Sequence, residues 1–292
     1  MAPCLKENRG QTGLSPRLAG LGATRVRITV YTALLATKGM YDGGPRLEPE
    51  TVDNMSIPVP VRDAATVILV RDRATRPQVL MGQRGSKAVF MPSKFVFPGG
   101  AVDPDDARVP LAGMVGPVCA ARLAEGAVAE RVHALQAAAI REVWEESGLV
   151  LGAPGEWRGP VPADWEDFSA TGHLPCAAAF RYVFRAITPV GPPRRFDARF
   201  FLVDETAVAG DPDDFSRASD ELSQLQWIPL EEIASLDLPL ITEVVLGEVA
   251  RVLACPGPPP EVPCFRDEDE QRFLLRRQAE RRRRSETRVE RG

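Results

Sequence analysis

The chain has 292 residues, of which 44% are hydrophobic, and a formal net charge of −4. That length fits one large domain with extensions, or two small ones, and the near-neutral charge gives no support to nucleic-acid binding. No apolar run approaches the ~20 residues of a membrane-spanning helix, so no membrane association is expected.

The five cysteines (Cys4, Cys119, Cys176, Cys255, Cys264) form no CxxC pair, and their odd number argues against a disulfide framework. A reducing, cytoplasmic setting is the expectation. With His133 and His173 as the only histidines, a His-rich zinc site is not expected.

Residues 1–59 read as an N-terminal extension. The first forty carry Lys6, Arg9, Arg17, Arg25, Arg27 and Lys38 against one acid, Glu7. A clear amphipathic helix is missing, which favours disorder, or a start at Met40 or Met55, over a transit peptide. The domain itself is expected over 60–254.

Ala65–Val70 is a short β-branched apolar run and predicts a buried strand. Arg71–Pro77 is a polar turn, and Val79–Arg84 is the partner strand. Lys94–Phe97 alternates polar and apolar, then stops at Pro98-Gly99-Gly100. Paired glycines there permit close approach of a ligand. Asp103–Gly116 reads as loop.

A short helix is expected from Val118 to about Glu125. A long one follows from about Ala129 to Ser147, closed by Gly148 as a C-terminal cap. Val150–Leu174 reads as irregular. Ala177–Ile187 matches the i, i+3, i+4, i+7 template through Phe180, Val183, Phe184 and Ile187, which favours helix over strand.

Ala198–Val203 and Leu222–Ile228 are strands. Pro229 opens a short helix through Leu230-Glu231-Glu232, and Leu240–Leu253 is a last amphipathic helix. Residues 255–292 form a Pro-rich and then charged tail with Arg281-Arg282-Arg283-Arg284. It reads as a solvated, partly helical extension; an RNA-binding or acidic-partner patch is the sharper alternative.

Chemistry concentrates in Arg141-Glu142-Val143-Trp144-Glu145-Glu146-Ser147-Gly148-Leu149. Helical geometry puts Glu142, Glu145 and Glu146 on one face. Like charges at that spacing cost a few tenths of a kcal/mol per pair. A cation relieves the repulsion, and Mg²⁺ takes such carboxylate oxygens together with substrate phosphates.

Gly99-Gly100 followed by REVWEESGL resembles the Nudix box, G-x5-E-x7-R-E-U-x-E-E-x-G-U with U apolar. The second half matches at Arg141, Glu142, Val143, Glu145, Glu146, Gly148 and Leu149. The first half departs. Counted from Gly100, the arginine belongs at 114 and stands at 141, 27 positions later, so an insertion is read within 101–130. Asp103, Asp106 and Glu130 are the candidates for the first acid of the box. A loop of that length costs little closure entropy.

The resemblance implies an α/β/α sandwich around a mixed sheet, with the insertion between the Gly-Gly loop and the Nudix helix. It implies Mg²⁺ or Mn²⁺ on Glu142, Glu145 and Glu146, with a carbonyl of Gly99 or Gly100 completing the shell. Arg141 would orient a box carboxylate. Glu145 or Glu146 is the implied general base, with Glu221, just before a strand, as the other choice. Arg84, Arg194, Arg195 and Arg199 are candidates for binding substrate phosphates.

The implied reaction is metal-dependent hydrolysis of a diphosphate linkage in a small-molecule nucleoside diphosphate derivative. The interrupted box is similar to that of coenzyme A diphosphatase-like members, which points to coenzyme A or an acyl derivative. The alternatives are a non-catalytic nucleotide-binding regulator and an RNA-decapping hydrolase. A homodimer is compatible with the resemblance. Trp144, Phe180, Tyr182 and Phe184 are expected in the core, and His133 as an ordinary histidine.

Overall fold

The computed structural model describes residues 59–85, 91–125, 127–254, 257–266 and 269. The N-terminal extension up to residue 58 and the Arg281–Arg284 run lie outside the described residues.

The strand β1 (Val61–Arg71) is the axis of the sheet. On one side it pairs in parallel with β8 (Arg195–Asp204), in register from Val61↔Arg195 to Val70↔Asp204. On the other it pairs antiparallel with β2 (Gln78–Arg84) near its end, and with β4 (Gly99–Ala101) at Ala64, Ala65 and Thr66. Outside these lie β3 (Phe95–Val96) and β9 (Leu222–Pro229) on β2, and β7 (Arg181–Ile187) on β8. A short β10 (Cys264–Phe265) closes the far edge in parallel with β7. The result is an eight-stranded mixed sheet.

Alternation along the strands divides the core into two layers. Val67, Leu69, Phe201 and Val203 pack on the side of α2 (Ala129–Ser147). Ile68, Val70, Phe200 and Leu202 face α4 (Leu240–Leu253). This is the α/β/α sandwich that alternating strands and helices predict. A further helix, α1 (Pro117–Ala124), precedes α2, and α3 (Glu166–Ser169) follows it. The helix α2 keeps Leu135, Ile140 and Val143 fully buried. Truncating Leu135 or Ile140 to Ala would cost about 2–5 kcal/mol. It stops at Gly148, whose φ of 74° is the left-handed cap and whose N–H donates to the Trp144 carbonyl at 2.7 Å.

Between β4 and α2 the chain packs along α2 instead of looping out. His133 Nε2 meets the Val109 carbonyl at 2.7 Å, and the Val115 N–H donates to Gln136 Oε1 at 2.8 Å. His133 is thus a tether for this segment.

Three expectations are corrected. Ala177–Ile187 is not a helix: it holds β7, paired antiparallel with β8. A register shift between Tyr182 and Phe184 puts Val183 and Phe184 in the same core layer, while Tyr182 lies in the other. That bulge breaks the period of two, and burial on both faces imitates a helical stripe. Residues 150–174 are not wholly irregular, because β5 (Gly152–Pro154) and β6 (His173–Pro175) form a small antiparallel sheet. Pro229 ends β9 and leads into turns, the last a 3-10 turn at Ile233–Ser235, not an α-helix.

Candidate functional site

The site is built where β4 lies against the second half of α2. Three successive β4 residues touch it. The Gly99 N–H donates to Glu146 Oε2 at 2.8 Å. Gly100 lies flat on the Glu142 carboxylate, so close that an added Cβ would stand 2.5 Å from it. The Ala101 carbonyl accepts from Arg141 Nη2 at 2.8 Å. Gly100 is required by this approach to α2, and Gly99 by its approach to β1, where a Cβ would stand 2.6 Å from the Ala65 carbonyl.

Arg141 is the hub. It is buried, and its Nε and Nη2 donate to the two oxygens of buried Asp106 at 3.1 and 3.2 Å. Its Nη1 donates to Glu142 Oε1 at 2.9 Å and Glu145 Oε2 at 3.0 Å. Asp106 also accepts the Asp103 N–H at 2.8 Å. Burial works against the Arg141 charge, but the Asp106 hydrogen bonds and the charges of Glu142, Asp106 and Glu145 outweigh it and hold the guanidinium protonated.

The carboxylates are held uneasily. Burial pushes Glu142 up to about 7, opposed by Arg141 and assisted by the charges of Glu145 and Glu221. Glu146 is raised well above the ordinary range, first by burial and then by Glu142, with the Gly99 N–H as the main relief. Glu145 is raised by burial, against the pull of Arg141. Desolvated, mutually repelling oxygens of this kind suit a hard divalent cation. Among the described residues no three of them already converge as a closed cage. Arg141 holds an oxygen of Glu142 and one of Glu145 in this arrangement.

A cavity of about 490 Å³ opens beside them. Glu142, Glu145, Gly99, Gly100 and Glu221 line it, as do Arg62, Arg84 and Arg194. Phe196 and Phe200 from β8 contribute an apolar floor, and Leu240, Ile241 and Thr242 from the first turn of α4 another wall.

The NUDIX domain model matches residues 116–246, a span that contains α2 and its carboxylates. Over that span the chain is similar to the Nudix domain. It is 29% identical over 216 residues to "Putative nudix hydrolase 7" of Caenorhabditis elegans. That alignment takes in 69% of this chain, which spans 58% of the length of the relative. It is also similar to the crystal structure of a Nudix hydrolase from Alicyclobacillus acidocaldarius. There the identity is 28%, the TM-score 0.51, and the coverage 68% of this chain and 94% of the other.

In this Nudix fold the residues read from the sequence separate into two groups. Glu142, Glu145, Glu146, Arg141, Gly99 and Gly100 come together, and Glu221 and Arg84 join them across the cavity. Arg84 Nη2 donates to Glu221 Oε1 at 3.2 Å, while its buried Nε has no acceptor among the described residues. Arg194 lines the cavity.

Arg195 and Arg199 do not belong there. Arg195 Nε is taken by the Thr188 and Pro189 carbonyls at 3.1 and 3.0 Å, bracing the β7–β8 loop. Arg199 is 1% exposed and paired with Asp63 and Asp197. Period-two alternation on β8 puts it on the face opposite Ala198 and Phe200, which line the cavity. Of the three candidates for the first acid, only Asp106 is buried against Arg141; Asp103 is a looser neighbour at 3.4 Å, and Glu130 is exposed. Arg62 and Thr242 were not anticipated. Neither lies in a motif, and only the folded sheet brings them to the cavity.

Proposed function

We propose that this chain hydrolyses a diphosphate linkage in a nucleoside diphosphate derivative, with Mg²⁺ or Mn²⁺ on Glu142, Glu145 and Glu146. The observation that carries the reading is the carboxylate face of α2, desolvated and pressed against Gly99-Gly100 on a cavity wall. When bound, the cation would neutralise diphosphate charge and lower the pKa of a coordinated water.

The residues divide the remaining work. Arg141 fixes Glu142 and Glu145 by its Nη1 and is itself fixed by Asp106. Glu146 is anchored by the Gly99 N–H. Glu145 keeps 37% of its side chain exposed and is the better placed of the box glutamates to take a proton. Glu221, 57% exposed on the opposite wall, is the other candidate base. Arg84 and Arg194 supply positive charge for the phosphates.

Within that class we favour a coenzyme A derivative. The interrupted box supports it, together with a cavity that joins arginines to an apolar floor at Phe196 and Phe200. Glu145→Gln and Glu146→Gln proteins are expected to fold and to lose hydrolysis by orders of magnitude. Turnover of coenzyme A, ADP-ribose, NADH, dinucleoside polyphosphates and capped RNA with Mg²⁺ and with Mn²⁺ is the measurement. Unchanged rates in both variants would remove the site assignment, and coenzyme A as the poorest substrate would remove the finer reading.

A further inference from the structure

The first turn of α4 ends on the cavity with its donors unused. Leu240, Ile241 and Thr242 all line the cavity. An α-helix leaves its first N–H groups without intrahelical acceptors, and a polar N-cap side chain normally answers one of them. Here the N-cap is Pro239, which makes no side-chain cap. Glu243 N–H returns to the Pro239 carbonyl at 3.2 Å. The N–H groups of Leu240, Ile241 and Thr242 have no acceptor among the described residues.

A second observation points the same way. Thr242 is only 5% exposed, lines the cavity, and its hydroxyl has no hydrogen-bond partner among the described residues. A hydroxyl inside a helix commonly bonds back to a carbonyl one turn earlier; Ser147 does so to Val143. Thr242 does not. Glu243 also lies in the first turn but is not among the residues lining the cavity.

Three backbone donors, the positive end of a 14-residue helix and the unpartnered hydroxyl of Thr242, a residue 5% exposed on the cavity wall, make a binding point for a tetrahedral oxyanion. We propose that the first turn of α4, with Thr242, binds a phosphate group of the substrate other than the diphosphate cleaved at α2. The two walls have opposite character: α2 presents carboxylates that need a cation before an anion can approach, whereas α4 attracts an anion directly. The substrate class is therefore a nucleoside diphosphate derivative bearing an additional phosphate. This rests on the diphosphatase reading for its catalytic meaning, but the binding point can be tested without it.

The probe is inorganic phosphate, titrated calorimetrically into the full chain in EDTA, where cation bridging at α2 cannot contribute. Wild-type protein is expected to bind one phosphate. Thr242→Val removes one hydrogen bond to a charged group and should weaken binding about tenfold. Thr242→Asp offers the same donors an internal anion, which favours the helix start while excluding phosphate, and should weaken binding about a hundredfold. Circular dichroism checks the fold, and Thr242→Val carries the test if the aspartate variant does not fold.

No phosphate binding by wild type, or undiminished binding in folded Thr242 variants, overturns the proposal. Loss in Arg194→Ala alone also overturns it, because the anion would then sit on the arginine. The two readings fail separately. Thr242-sensitive phosphate binding in a protein that hydrolyses no diphosphate leaves this subsite and removes the activity. Hydrolysis that Glu145→Gln abolishes, with no Thr242-sensitive binding, does the reverse.

Discussion

Asp106 and Arg141 meet through two hydrogen bonds, although 35 positions separate them in the chain. The pair is buried on both sides, with 1% and 5% of the side chains exposed. It ties the segment after β4 to the helix that carries the carboxylates. The guanidinium fork matches both carboxylate oxygens, which a lysine could not do. Asp106→Ala leaves a buried cation short of its most buried partner, while Glu142, Glu145 and the Ala101 carbonyl remain. The expected loss is about 2–4 kcal/mol in urea unfolding with chelator present, close to the usual cost of breaking a buried pair. A loss below about 0.5 kcal/mol would put this pair with surface ion pairs instead.

Gly100 and Glu142 give the sharpest steric test. A methyl group on Gly100 would sit 2.5 Å from the Glu142 carboxylate, well inside contact distance. Glu142 lies on a rigid buried helix, so the carboxylate and β4 must part. Misplacement by about 1 Å costs about a hundredfold in rate where orientation matters. Gly100→Ala is therefore expected to remain folded by circular dichroism and lose about that much kcat. An unchanged rate would mean that the Glu142 position does not matter to the chemistry.

The long helix and its stop were legible because local rules decide them. Apolar spacing from Val132 to Val143 and a glycine in the left-handed cap at 148 need no distant partner. The strands 65–70 and 198–203 were legible for the same reason. The strand β7 was not, because its bulge at Val183 depends on pairing with β8, which the sequence does not display. Asp106 could not be chosen over Asp103 and Glu130, since all three are acids near a loop and only the folded path brings one to Arg141. The cavity was least legible. Its walls join Gly100 to Thr242, residues related by sheet topology and by no local pattern.

Arg194 and Arg199 looked alike in the sequence, five positions apart in one arginine-rich stretch, and the fold separates them. Arg194 faces the cavity. Arg199 is locked between Asp63 and Asp197, and Arg185 and Arg131 hold those two aspartates from outside. Arg194→Ala should raise KM for an anionic substrate with little change in melting temperature. Arg199→Ala should instead destabilise by about 3–5 kcal/mol, since it leaves two carboxylates facing each other across β1 and β8. KM of the folded fraction should stay unchanged. The reverse pattern, a KM effect confined to Arg199→Ala, would return it to the substrate site.

The strained carboxylates predict a pH dependence with a definite sign. In the metal-free protein Glu142 titrates at about 7, above the ordinary 4.5, chiefly because burial disfavours its charge. A group raised in the folded state stabilises the fold fully below its unfolded pKa, and that contribution is lost as pH rises through the folded value. Glu145 and Glu146 are raised as well and act in the same direction. Metal-free protein should accordingly lose stability from this cluster as pH rises from about 5 to 8. At the proposed metal site Mn²⁺ would compete with the protons for those oxygens, so its stabilising effect should grow over that interval and its binding should release protons. Melting curves in EDTA and in Mn²⁺ at the two pH values measure both trends. An equal Mn²⁺ shift at both would mean that the ion sits on groups already ionised at pH 5, and not on Glu142 and Glu146.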